Sequence, residues 1–103
     1  VRVIPWDTIA YDIIELKSKS DLTKVKNMKG GGGTIIYPAL KKTIDNMKNN
    51  DIVVIFSDFM IYDLDEPETI NAFKKIASKA SSAILCSKGQ NVNIPKWRMI
   101  SLN

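Results

Sequence analysis

Residues 52–56 read Ile-Val-Val-Ile-Phe, an uninterrupted apolar run of strand length set between Asp51 and Ser57-Asp58. A strand with one wet face alternates polar and apolar residues, so a run without polar members is expected to be covered on both faces, as in a parallel sheet. That makes it the expected centre of the fold. Parallel strands need long crossover connections, usually helical, and the flanking sequence supplies two. Pro38 suits a first helical position, and Leu40, Ile44 and Met47 then recur on one face up to Asn49-Asn50-Asp51. Asp65 and Glu66 precede Pro67 and favour the positive end of a second helix, whose expected buried stripe is Ile70, Phe73, Ile76, Ala77 and Ala80. Residues 83–86 and 98–102 read as further strands, the last one following Pro95 and Trp97. Upstream, residues 1–6 and 11–16 are strand-like and separated by Asp7-Thr8-Ile9-Ala10, short enough for an antiparallel hairpin. Ser20 or Asp21 can cap a short helix carrying Leu22, Val25 and Met28, which the glycines end. The alternation predicts an α/β fold: an open, mostly parallel, Rossmann-like sheet with helices on both faces, in one domain over residues 1–103.

Composition narrows the chemistry. With 45% hydrophobic residues in 103, the chain can bury a core without staples. It contains no histidine, which removes imidazole bases, Ser-His-Asp and Cys-His hydrolases and histidine-ligated metal centres. Cys86, the lone cysteine, reads as a small core residue, and Trp6 and Trp97 as packing residues. The net charge of +4 comes mainly from scattered lysines, with Arg2 and Arg98 the only arginines, so a dedicated nucleic-acid face is not expected. No apolar run reaches the ~18 residues that span a bilayer and no signal-peptide pattern opens the chain. A cytoplasmic setting without membrane attachment is the expectation. The strand-like opening and the missing initiator methionine read as a fragment of a longer protein.

Open parallel sheets bind ligands beyond the carboxyl ends of their strands. Two features are expected there: Gly30-Gly31-Gly32-Gly33-Thr34 and Ser57-Asp58. The glycine run is not a P-loop, because Lys29 precedes it and Ile35 follows Thr34; nor does it match the dinucleotide pattern, whose third glycine falls on Ile35 or Ile36. Glycines let the backbone approach a ligand closely and allow Thr34 to present its hydroxyl. Asp58 follows the apolar strand at the mouth of the crevice, with Ser57 able to orient it. Thr34 and Asp58 are two oxygen donors of the kind Mg²⁺ prefers, too few for a complete site.

The element order, the glycine run ending in Thr34 and the strand closing on Ser57-Asp58 resemble a von Willebrand factor A domain, and more closely the VWA-like C-terminal domains of metallopeptidase-type proteins of prokaryotes. The stretch 3–7, Val-Ile-Pro-Trp-Asp, is similar to that family's second strand, and 94–100, Ile-Pro-Lys-Trp-Arg-Met-Ile, to its final one. The resemblance implies a metal-ion-dependent adhesion site in which Thr34 and Asp58 are metal ligands, Gly30, Gly31, Gly32 and Gly33 shape the loop, and Ser57 and Asp7 stand behind them. A bound Mg²⁺ or other divalent cation would then offer an open position to a carboxylate on a protein partner, with no catalytic residues. The family's first strand and its Asp-x-Ser-x-Ser loop are missing from this sequence. The 103 residues alone are therefore expected to hold the cation weakly or not at all. They are also expected to close the vacated central position by direct strand pairing, by a strand swap or by homodimerisation.

Two other readings stand beside this one. Asp58, Asp63, Asp65 and Glu66 could hold metals for phosphoryl transfer or nuclease chemistry, although Asp65 and Glu66 already serve the helix start at Pro67. Alternatively the glycines are packing and turn devices in a structural module with a degenerate site.

Overall fold

The structure, a computed structural model, describes residues 1–21, 23–24 and 35–102. Among them the chain forms β1 (Arg2–Val3), β2 (Ile14–Glu15), a 3-10 turn (Lys19–Asp21), α1 (Tyr37–Asn46), β3 (Ile52–Ser57), α2 (Pro67–Lys79), β4 (Ser82–Ser87) and β5 (Arg98–Ser101). Strands β3, β4 and β5 make one parallel sheet in that order, with Ile52 opposite Ser82 and Ser57 opposite Ser87, then Ser87 opposite Ser101. Helix α2 is the crossover from β3 to β4. The protein is thus a small α/β fold in which two helices flank a three-stranded parallel sheet.

The elements form where their residues dictate. Pro67 occupies the first turn of α2, where a missing N–H costs nothing, and Glu68 at its start and Lys79 at its end complement the helix dipole. The buried face of α2 is Thr69, Ala72, Phe73 and Ile76. Ala72, Phe73 and Ile76 make one core together with Ile36 at the start of α1 and Leu40 within it, with Ala83 and Leu85 of β4, and with Phe59 and Trp97; Val53, Ile55 and Met99 pack against it. Each fully buried Leu, Ile or Phe contributes about 1.5–3 kcal/mol relative to exposure. Trp97 meets Phe73 edge-on, with ring centroids 5.5 Å apart, and its indole N–H donates to the Phe73 carbonyl at 3.0 Å. That bond satisfies the one polar atom of a buried indole.

Several expectations need correction. β3 is an edge strand among the described residues, and its side chains alternate: Val53 and Ile55 face the core, while Ile52, Val54 and Phe56 are 69%, 41% and 66% exposed. Both described helices supply the same core as Val53, Ile55, Ala83 and Leu85, so the expected cover on both faces is present on one. Ile70 is exposed, and Thr69 takes its place in the buried stripe of α2. The predicted helix near Ser20 begins as the 3-10 turn with residues 23–24 helical; Leu22, Val25 and Met28 lie outside the described residues. The hairpin of residues 1–16 does form, with Arg2 opposite Glu15, Val3 opposite Ile14 and a further bridge between Trp6 and Ala10. It is a separate two-stranded sheet, and the direct pairing of residues 1–6 with β3 does not occur. The hairpin meets the layered body instead through Arg2, 3.8 Å from Asp51, through the Lys42 ammonium donating to the Tyr11 carbonyl at 2.8 Å, and through Trp6, which packs on the core. Cys86 is buried, as expected. No described helix is long and apolar enough to cross a membrane.

Candidate functional site at the carboxyl ends of the strands

The three parallel strands end in a row of serines, Ser57, Ser87 and Ser101, in register across the sheet. Two of these hydroxyls fasten the loops that follow. Ser57 Oγ accepts the Phe59 amide at 3.0 Å, and Ser87 Oγ accepts the Gly89 amide at 3.2 Å while donating to the Gln90 carbonyl at 2.6 Å. The loops are then tied to each other. The Asp58 carbonyl accepts the Gln90 amide at 3.1 Å, and the Gln90 side-chain amide donates to the Phe59 carbonyl at 2.6 Å. Gly89 lies so close to Asp58 that a Cβ there would stand 2.7 Å from the Asp58 carbonyl oxygen. Only glycine permits that approach.

Phe59 has a φ of 58°, in the left-handed region that costs a residue with a Cβ about 1–2 kcal/mol. Its ring is fully buried, and that burial offsets the cost. The ring of Phe59 lies in the core, while the neighbouring Asp58 is exposed. One Asp58 oxygen accepts the Met60 amide at 3.0 Å, a local Asx turn. The carboxylate otherwise faces solvent, flanked by exposed Met60 and, further along, exposed Tyr62. Asp58 is therefore where the sequence places it, at the tip of β3 and available to a cation or a hydrogen-bond donor.

Asp63 has a different use. Its Oδ1 accepts the Ile36 amide at 2.8 Å, and its Oδ2 accepts the Tyr37 amide at 3.0 Å and the Thr69 hydroxyl at 3.1 Å. These are free N–H groups of the first turn of α1, whose own cap residue, Ile36, has no side-chain acceptor. A carboxylate from a distant loop thus caps the helix and complements its dipole. The sequence reading missed this role. Its one signal was negative: α1 opens on Ile-Ile-Tyr-Pro, with no Ser, Thr, Asp or Asn to cap it locally.

Asp7 closes the hairpin. Its Oδ1 accepts the Ile9 amide at 3.1 Å and its Oδ2 the Tyr11 hydroxyl at 2.7 Å. The Tyr11 bond and then the Ile9 amide hold its carboxyl below the ordinary 3.8, and the same bond raises the Tyr11 phenol above 10.0. Asp65 and Glu66 are exposed ahead of α2, and the Glu66 carbonyl accepts the Ile70 amide. Thr34 and Gly30, Gly31, Gly32 and Gly33 lie outside the described residues. Among the described residues no three acidic or cysteine side chains gather where they could hold a metal. Asp58 by itself is too small a donor set for Mg²⁺, which keeps octahedral geometry with several waters and one or two carboxylates.

Comparison with known proteins adds no identity: no protein-family model matches the chain, and no curated protein or solved structure is significantly similar to it.

Proposed function

We propose that the chain is a protein-interaction module of the von Willebrand factor A-like kind, which engages its partner at the carboxyl-end rim of the sheet. In this reading Asp58 and Thr34 contribute to a divalent cation site that a carboxylate of the partner completes, and no covalent chemistry takes place. The observation that carries it is the setting of Asp58, an exposed carboxylate at the tip of a parallel strand with one oxygen taken by a local turn. A supporting feature is that Asp63, five residues further along the same loop, binds Ile36, which is two residues beyond Thr34 in the sequence. The remaining donors of such a site belong to the Asp-x-Ser-x-Ser loop that this sequence lacks. The phosphoryl-transfer reading is less favoured, because Asp63 already serves three donors.

Amide chemical shifts followed during titration with millimolar MgCl₂ test the reading. The expected result is a weak, saturable response centred on Asp58 and Thr34 that disappears in both Asp58→Asn and Thr34→Ala. Asparagine keeps the Asx-turn acceptor, so the loop survives the change. A response that both variants retain, or one centred away from both residues, would overturn the cation-bridged reading.

A further inference from the structure

Phe59 stands between Asp58, the exposed carboxylate at the tip of β3, and Met60, whose amide that carboxylate accepts. Its backbone is left-handed, with a φ of 58°, a conformation that a Cβ opposes. Such a conformation persists only where the surroundings over-determine it. Here the Phe59 N–H donates to Ser57 Oγ at 3.0 Å, and the Phe59 carbonyl accepts the Gln90 side-chain amide at 2.6 Å. Both backbone polar groups of the strained residue are thus held by side chains. Ser57 closes the strand that leads into the turn, whereas Gln90 lies 31 residues further along and reaches across from the loop after β4. The Gln90 backbone amide also donates to the Asp58 carbonyl at 3.1 Å. One residue therefore grips two successive carbonyls, those of Asp58 and Phe59. Gln90 is braced in turn, because its own carbonyl accepts the hydroxyl of the fully buried Ser87 at 2.6 Å.

We infer that Gln90 is the positioning residue of the Asp58 site: the loop after β4 fixes the backbone turn that presents the carboxylate, and opening of that loop withdraws it. The physical reason is pre-organisation. A carboxylate on a disordered turn must be ordered as it binds, and that cost opposes binding, whereas a turn already held in place avoids it. Gln90 supplies no carboxylate of its own and acts only through the Asp58 and Phe59 carbonyls. It is exposed and outside the core, so its part in the turn is separable from general support of the fold. The use of the clamp rests on the cation-bridged reading, while the clamp itself does not.

The test compares the unaltered chain with Gln90→Ala and with Gln90→Arg, whose guanidinium keeps a donor for the Phe59 carbonyl. Amide order parameters from ¹⁵N relaxation, measured without added metal, should be about 0.85 at Asp58, Phe59 and Met60 in the unaltered chain and below about 0.6 in Gln90→Ala. Gln90→Arg should recover the order, and Ile55 and Leu85 should stay rigid in all three. In a titration with MgCl₂ the midpoint of Gln90→Ala should rise at least about threefold, as it must if the presenting conformation falls to about a third of the molecules. Unchanged order at Asp58 and Phe59 in Gln90→Ala, a loss that spreads to Ile55 and Leu85, or equal MgCl₂ midpoints would each overturn the inference. If the unaltered chain ignores MgCl₂ while Gln90→Ala still loosens Asp58 and Gln90→Arg restores it, the cation-bridged reading falls and Gln90 stands as the residue that positions the carboxylate.

Discussion

Asp63 accepts the backbone amide of Ile36 at 2.8 Å across 27 residues of chain, so the first turn of α1 is capped from the loop beyond β3. Replacing Asp63 with alanine removes the acceptor for two helix amides and for the Thr69 hydroxyl. A lost cap typically costs about 1 kcal/mol and an orphaned part-buried donor about the same again. Asp63→Ala should therefore lower stability by about 2 kcal/mol in urea unfolding, and Asp63→Asn, which keeps one acceptor oxygen, by about half of that.

Gly89 and Asp58 define the contact between the loops after β3 and β4. An alanine methyl at Gly89 would meet Asp58 O, Cβ and Cα at 2.7, 2.9 and 3.0 Å, and all three atoms belong to a loop that is bonded at both ends. Gly89→Ala should cost about 1–3 kcal/mol, the range for overpacking. Amide shifts should move at Asp58 and Phe59 and stay unchanged in the hairpin. A neutral substitution would mean that the two loops part easily.

The left-handed backbone of Phe59 reverses a usual order. Truncating a buried phenylalanine to alanine costs about 3–5 kcal/mol, and glycine ordinarily costs more than alanine because it loses more backbone freedom. With φ at 58°, glycine is relieved of the Cβ penalty that alanine retains. Phe59→Gly should therefore be the more stable of the two variants, by about 1 kcal/mol. Equal denaturation midpoints, or alanine ahead, would show that the turn relaxes when the ring is removed.

The Asp7–Tyr11 bond gives the hairpin a pH profile with two flanks. Asp7 titrates below its ordinary value when folded, so its contribution is complete above the unfolded aspartate value and is lost as pH falls through the folded one. Tyr11 titrates above its ordinary value, so its contribution is complete below the unfolded phenol value and is lost as pH rises through the folded one. Exchange protection of the Ile9 and Tyr11 amides should form a plateau between those limits. Tyr11→Phe should flatten the alkaline flank and shift the acid flank toward the ordinary aspartate value.

Much of the layered body is legible in the sequence because its signals are local. Pro38 and Pro67 mark helix starts, the runs at 52–56 and 83–86 mark strands, and all four are found within a residue or two of their expected places. What fails is information that a segment does not carry. The run 52–56 declares itself apolar on both faces, but whether anything lies against the second face depends on other parts of the chain or on a partner. In the structure Ile52, Val54 and Phe56 are left exposed. Asp63 likewise looked free for metal chemistry because two of its three partners are backbone amides far away in sequence, which leave no mark in a residue string. Thr69 replaces Ile70 in the α2 stripe for a related reason: its hydroxyl reaches Asp63, so burial leaves no unpaired polar atom. The position of Asp58 directly after β3 is legible because a residue next to a strand needs only the strand's end to locate it.

Cys86 stands between Phe56 and Ile100 in register, on the side of the sheet turned away from both described helices, and it is nonetheless only 8% accessible. A maleimide or disulfide dye therefore reaches the sulfur only when neighbouring side chains part. Its labelling rate gauges how firmly that uncovered layer is packed, and any molecule that comes to lie over the layer would slow the reaction without the need for an engineered tag.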